Sequence, residues 1–240
     1  MSKKKRKKPI IAYVPDNLLE MKPVAAEDKV QFQCTRCGEC CRHVKDGVML
    51  DVLDAFRLTR YLRKTGDVNE IEDVLLKYAH AQYIAEGVKL PIFLLNTTGK
   101  DDRCVFLKDN RCTVQNEKPR ACRLYPFGAT PDDAGGYDFS IVSQKPHHFR
   151  GRTVRVGDWM EENLTAEDNA YMEMDIEALK QLAPALKVED KSGEDFALSM
   201  TLFLRYFNYD LDKPFIEQFA RNMASLHTAL SKGCGVEHGV

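Results

Sequence analysis

Apolar positions along this chain follow two rhythms, and the switches between them mark out its elements. From Asp51 onward Leu53, Phe56, Leu58 and Leu62 recur at helical spacing, with Asp51 as the N-cap and Gly66 and Asp67 as the break. Asn69 to Glu86 repeats that period and predicts a second helix, with Ile71, Val74, Leu75, Tyr78 and Ala79 on one face. VKLPIFLL, residues 88–95, predicts a strand, which Pro91 assigns to a sheet edge. Tyr137 to Val142 predicts a strand paired with it, entered through the turn at Ala134 to Gly136. After Trp159 the helical period dominates. Thr165 caps a helix that runs to Leu182, with Asp168 three residues on, and Phe196 to Tyr206 and Pro214 to Leu230 predict two more.

These elements predict an α+β fold, mainly helical: a loop-rich cysteine core with a short strand pair, plus C-terminal helices. Residues 1–30 are expected to form a basic, largely extended arm, with Pro9, Pro15 and Pro23 spaced along it. Residues 31–160 form the core, and residues 161–240 a helical region packing on it.

Composition adds that the chain is an ordinary globular one, 44% hydrophobic and 30% charged, long enough to bury a core without covalent staples. Its formal net charge of −1 hides an asymmetry: Lys3 to Lys8 carry six positive charges, which leaves the remainder at −7. That arm reads first as a solvated terminus and second as a weak nucleic-acid contact, without interleaved aromatics for base stacking. No stretch approaches the roughly 18 apolar residues of a membrane span. No apolar segment follows MSKKKRKKPI as it would in a secretory signal, so the expected location is cytoplasmic, where structural disulfides rarely persist.

The chemistry lies in the cysteines. Seven of eight fall in two groups: Cys34, Cys37, Cys40 and Cys41 in CTRCGECC, then Cys104, Cys112 and Cys122. Two residues between cysteines let a turn aim both thiolates at one metal, and Gly38 supplies the backbone freedom such a turn uses. Adjacent Cys40 and Cys41 do not easily share one tetrahedral centre. Seven thiols also exceed the four ligands of one zinc ion or one cubane, so a multinuclear or two-centre site is expected. His43, His147 and His148 are candidates for an eighth ligand. Arg36, Arg42, Arg103, Arg111, Arg120 and Arg123 lie within two residues of a cysteine and are expected to offset thiolate charge. Cys234, near the end, reads as a free thiol. The spacing matches neither a bacterial ferredoxin run nor a zinc ribbon, and there is no GxGxxG, P-loop, HExxH or nucleophile elbow.

CxxCGxCC, a later CxFL, a further cysteine and the ending KPRACRLYPF together resemble the YkgJ-type cysteine-cluster family, whose members are held to chelate zinc or iron. The resemblance covers about Gln31 to Trp159. It implies that Cys34, Cys37, Cys40, Cys41, Cys104, Cys112 and Cys122 chelate, that Pro119 and Arg120 hold the last cysteine loop, and that Tyr125, Pro126 and Phe127 wall the site. Family members often carry an eighth cysteine where this chain has His147 and His148, so His147 is taken as the eighth ligand. The family includes the cysteine cluster of flagellin lysine N-methylases. The expected function is therefore an iron–sulfur protein in electron transfer or redox sensing, acting with a protein or redox partner. A methylase-like protein-modifying enzyme and a structural-zinc interaction module with a nucleic-acid-touching arm are the alternatives.

Overall fold

The computed structural model describes residues 21–85, 88–132, 136–143, 145–184, 186 and 191–233. The basic stretch Lys3 to Lys8 and Cys234 lie outside the described residues, as does most of the turn expected at Ala134 to Gly136. Helix outweighs strand, 47% to 22%, in a mixed α+β fold with several small sheets.

Three short strands come first: β1 (Met21–Val24), β2 (Lys29–Gln31) and β3 (Met49–Leu50). Helix α1 (Val52–Arg63) begins where Asp51 accepts the Asp54 N–H at 2.8 Å, a cap worth about 1 kcal/mol. It buries Leu53, Phe56, Leu58 and Leu62, and Gly66 follows with φ of 77°. Helix α2 (Ile71–Tyr78) opens on a capping box between Glu70 and Asp73 and buries Ile71, Val74 and Leu75.

The predicted helix does not continue past Tyr78. Residues Ala79–Ala85 form strand β4, paired antiparallel with β5 (Val88–Leu95) in register Ala79↔Leu95 to Tyr83↔Pro91. The Asn96 N–H donates to the Tyr78 carbonyl at 2.9 Å and its side-chain amide donates to the Ala79 carbonyl at 3.2 Å, which turns the chain out of the helix. The apolar β5 needs a partner for its backbone groups, and this pairing overrides local helical period. β5 is the middle strand of the order β3–β5–β4 rather than an edge. Proline is tolerated there because β3 reaches only Phe93 and Leu94, and the β4 pairing is irregular just past Pro91, between Tyr83 and Ala85.

Beyond β5 the chain makes two small ribbons, β6 (Thr97–Thr98) with β7 (Arg103–Cys104) and β8 (Leu107–Lys108) with β9 (Arg111–Cys112). Helix α3 (Arg120–Leu124) and strands β10 (Phe127–Pro131) and β11 (Tyr137–Val142) follow. β11 has the predicted bounds but not the predicted partner: it lies between β10 and β1, not against β5. Its neighbour in sequence closes a far shorter loop, and closure entropy rises with loop length. Strand β12 (Thr153–Arg155) pairs with β2.

Four helices complete the fold: α4 (Val156–Asn163), α5 (Ala166–Leu182), α6 (Lys191–Thr201) and α7 (Phe215–Gly233). Thr165 and Asp168 form the capping box of α5. The segment predicted as a single helix from Phe196 to Tyr206 is α6 followed by a π-helical turn, Leu202–Phe207. That turn carries buried Arg205, paired with Asp175 at 2.5 and 3.1 Å. Helix α7 buries Phe215, Phe219, Met223, Leu226 and Leu230 along one face. Two apolar cores result. The larger joins α1, α2, β4 and β5 to α5, α6 and α7, and the smaller gathers Phe32, Leu124, Phe127, Ile141, Val154 and Trp159.

Candidate metal centre

The first cysteine group folds as a turn clamped onto the second. Gly38, with φ of 79°, caps a 3-10 turn over Glu39–Cys41. A Cβ there would stand 2.8 Å from the Asn110 carbonyl oxygen and 3.1 Å from the Leu107 side chain, so the position needs glycine twice over. The His43 N–H donates to the Asp101 carbonyl at 2.7 Å and the Val44 N–H to the Asp102 carbonyl at 3.1 Å. Arg42 donates to the Asp101 carboxylate and, at 2.6 Å, to the Asn110 amide oxygen. The loops so gripped carry Cys104 at the end of β7 and Cys112 at the end of β9, where Cys112 pairs with Leu107.

Cys122 rides on α3, and a buried charge network fixes that helix. The Arg120 N–H donates to both carboxylate oxygens of Asp54, at 2.9 and 3.0 Å, while its guanidinium meets Asp51 at 2.9 Å. Arg123 donates to the two oxygens of Asp168 at 2.6 and 2.9 Å and to the Asn163 carbonyl at 2.9 Å. Arg57 meets the same Asp168 at 2.7 Å. Burial works to raise the Asp168 carboxyl, but the bonds from Arg123 and from the Thr165 N–H and hydroxyl outweigh it and hold the group well below the usual carboxylate range. Burial, and then Asp51, push Asp54 up against the pull of Arg120 and Arg123.

This corrects one reading of the sequence. Arg42, Arg120 and Arg123 are spent on carboxylates and amides rather than on thiolates. Lys118 acts on Cys40, Cys112 and Cys122, and Lys145 on Cys40, while Arg36 and Arg111 line the cavity that the thiols face.

All seven described cysteines are free thiols. Cys34, Cys40, Cys41, Cys104, Cys112 and Cys122 line one cavity of about 1780 Å³, together with Tyr125, Pro126 and Phe127. Five of them, Cys40, Cys41, Cys104, Cys112 and Cys122, act electrostatically on one another. The vicinal pair stands 3.9 Å apart, sulfur to sulfur. A hydrogen bond from Cys41 brings Cys40 down to about 7 against its partial desolvation, with help from Lys118. The same bond and then burial push Cys41 up. Burial lifts Cys104 to about 11 and Cys122 well above the ordinary thiol value.

Cys37 keeps different company. Its sulfur is 3.2 Å from Nε2 of His148, and the candidate ligand atoms of Cys37, His147 and His148 all lie within 4.8 Å of one another. Among the described residues this is the one group of three or more such side chains drawn that close. A 3-10 turn, Pro146–His148, presents both rings, with centroids 4.2 Å apart. His148 is buried and its Nδ1 is 2.8 Å from the Tyr125 hydroxyl. Burial, and then His147, lower its pKa, so the ring is neutral near pH 7. The sequence singles out His147 as the eighth ligand; the geometry brings His148 to the thiol as well. His43 is exposed, with φ of 57°, and stands outside this group.

Free thiols facing a common cavity, and a neutral buried imidazole turned toward a thiol, are the donor set of a soft-metal chelating protein. Residues 33–146 match the CxxCxxCC family model, described as a "putative zinc- or iron-chelating domain". The match holds all seven described cysteines and ends just before His147. No curated protein and no solved structure matches the chain. Among the described residues no helix is long and apolar enough to cross a membrane.

Proposed function

We propose that the cysteine face binds an iron–sulfur cofactor and that the protein serves electron transfer or redox sensing in the cytoplasm, with Cys34, Cys40, Cys41, Cys104, Cys112 and Cys122 as the thiolate donors on the cavity and Cys37 and His147 as metal ligands beside it. The observation that carries this reading is the set of five mutually interacting thiols on one cavity. They exceed the four ligands of a single zinc ion, and they are not drawn together as closely as the Cys37 group. Thiolates at wider separation suit a polynuclear iron centre, which when bound supplies one-electron chemistry. Lys118 and Lys145 offset its negative charge, and Phe127, buried at the cavity wall, limits water.

The test is iron, acid-labile sulfide and zinc content of anaerobically purified protein, with its visible spectrum. Iron with sulfide and a broad visible absorbance supports the reading. Zinc without sulfide replaces it with structural zinc.

A second reading has one observation in its favour. The cavity is lined beyond the thiols by Ile84, Leu90, Ile92, Tyr171, Arg205 and Tyr206, leaving room for an organic molecule beside the centre. A methylase-like enzyme requires a sulfonium methyl donor to bind there. Calorimetry that finds no binding of such a donor removes this alternative.

A further inference from the structure

The contacts of Cys37 set it apart from the other thiols, and three observations converge on it. The first is spacing. A zinc-type ion has bonds of about 2.3 Å to sulfur and about 2.0 Å to nitrogen, which place tetrahedral ligands about 3.6 Å apart. The 3.2 Å between Cys37 Sγ and His148 Nε2, with His147 inside the same 4.8 Å group, needs only a small spreading to admit one ion. The second is orientation. Nδ1 of His148 is engaged by the Tyr125 hydroxyl at 2.8 Å, so Nε2 is the nitrogen left for the thiol side. With Nε2 given to a metal, Nδ1–H donates to the phenol oxygen, the outer contact that metal-bound histidines regularly make. The third is placement. His148 is buried and fixed while His147 is exposed, so the site is both rigid and open to loading from solvent.

We infer that Cys37, His147 and His148 form a mononuclear site for a divalent zinc-type ion, separate from the centre on the thiol-lined cavity. The protein then carries two metal centres of different kinds. Three protein ligands leave the fourth position of a tetrahedral ion to solvent, as in zinc sites that do chemistry rather than hold a fold. The inference rests on the reading that this domain chelates metal, but not on the identity of the cavity centre. Cys37 lies inside the segment that the family model matches, and both histidines fall just beyond it.

The test uses the full chain, purified anaerobically in the presence of zinc, and reads zinc, iron and sulfide per chain in His147→Ala, Cys37→Ser and Cys112→Ser. His147→Ala and Cys37→Ser are expected to lose one zinc per chain and keep iron and sulfide. Cys112→Ser is expected to keep that zinc. Tyr125→Phe should weaken zinc roughly 10- to 100-fold. His147 is exposed, so its variant folds, and thermal melting of the chelated protein checks this. In zinc-stripped protein, added cobalt should give a thiolate charge-transfer band that Cys37→Ser abolishes and Cys112→Ser retains. Unchanged zinc in His147→Ala overturns the inference. Loss of iron and sulfide along with zinc in that variant also overturns it, by placing the histidines on the cluster. Cys112→Ser that leaves iron and sulfide intact refutes the cavity reading instead, so the two failures are distinct.

Discussion

At the scale of single residues the site depends on a few positions that no other side chain fills. Gly38 combines a left-handed backbone with an approach to the Asn110 carbonyl that a Cβ would bring to 2.8 Å. Gly38→Ala should cost about 1–3 kcal/mol and pull the Cys40–Cys41 turn off the β8–β9 ribbon, read as a lower melting temperature together with lost metal. Asp168 accepts from Arg57, Arg123 and Thr165 while buried. Its folded pKa is depressed, so its contribution is full above the unfolded value near 3.8 and fades as pH falls through the lower folded value. Asp168→Asn should therefore cost about 3 kcal/mol at pH 7, and the gap from wild type should shrink as urea melts are taken below pH 4. Equal gaps at pH 7 and pH 2 would remove Asp168 as the anchor. The cysteines and Gly38 stand out in the sequence because spacing and residue type carry their meaning. Arg120 and Arg123 misled because nearness in chain says nothing of side-chain direction: their guanidinium groups meet Asp51 and Asp168, far along the chain from both.

At the scale of elements, what is coded locally reads well and what is coded by a distant partner does not. Helices α1 and α5 follow from a capping side chain and one apolar face. The strands β5 and β11 have the predicted bounds, but their partners depend on loop closure and on which apolar faces meet. The helix expected through residue 86 gave way at Ala79 because Asn96 and β5 claim its backbone. Helix α3 is too short to be stable alone and exists because Asp51, Asp54 and Asp168 hold it. Arg120→Ala should accordingly cost about 3–5 kcal/mol, since it strands buried carboxylates. Arg103→Ala, exposed beside Cys104, should stay within about 0.5 kcal/mol and keep its metal. Similar losses of metal in both variants would restore the arginines as thiolate partners.

At the scale of the molecule, the cysteine loops are bracketed by two cores and depend on both. The C-terminal helices share the larger core with α1 and β5, and the Tyr206 hydroxyl donates to the Pro91 carbonyl at 2.9 Å across it. The smaller core backs α3 through the Trp159 indole N–H, which donates to the Leu124 carbonyl at 3.0 Å. The first cysteine loop offers little apolar burial, with Cys34 and Cys40 exposed, whereas Cys104, Phe106 and Val114 sit in the larger core. Metal binding then contributes folding energy most to the first loop, while the helices are held by the larger core. Removing the metal with a chelator should raise hydrogen exchange most across residues 34–44 and leave α1 and α7 protected. Uniform loss of protection would mean that the metal holds the whole fold.

The most direct measurement is the iron, acid-labile sulfide and zinc content of the anaerobically purified full chain, set against Cys112→Ser. Iron and sulfide with a broad visible absorbance are expected in the wild type, both lost in the variant. A colourless protein that holds zinc but neither iron nor sulfide would contradict an iron–sulfur centre.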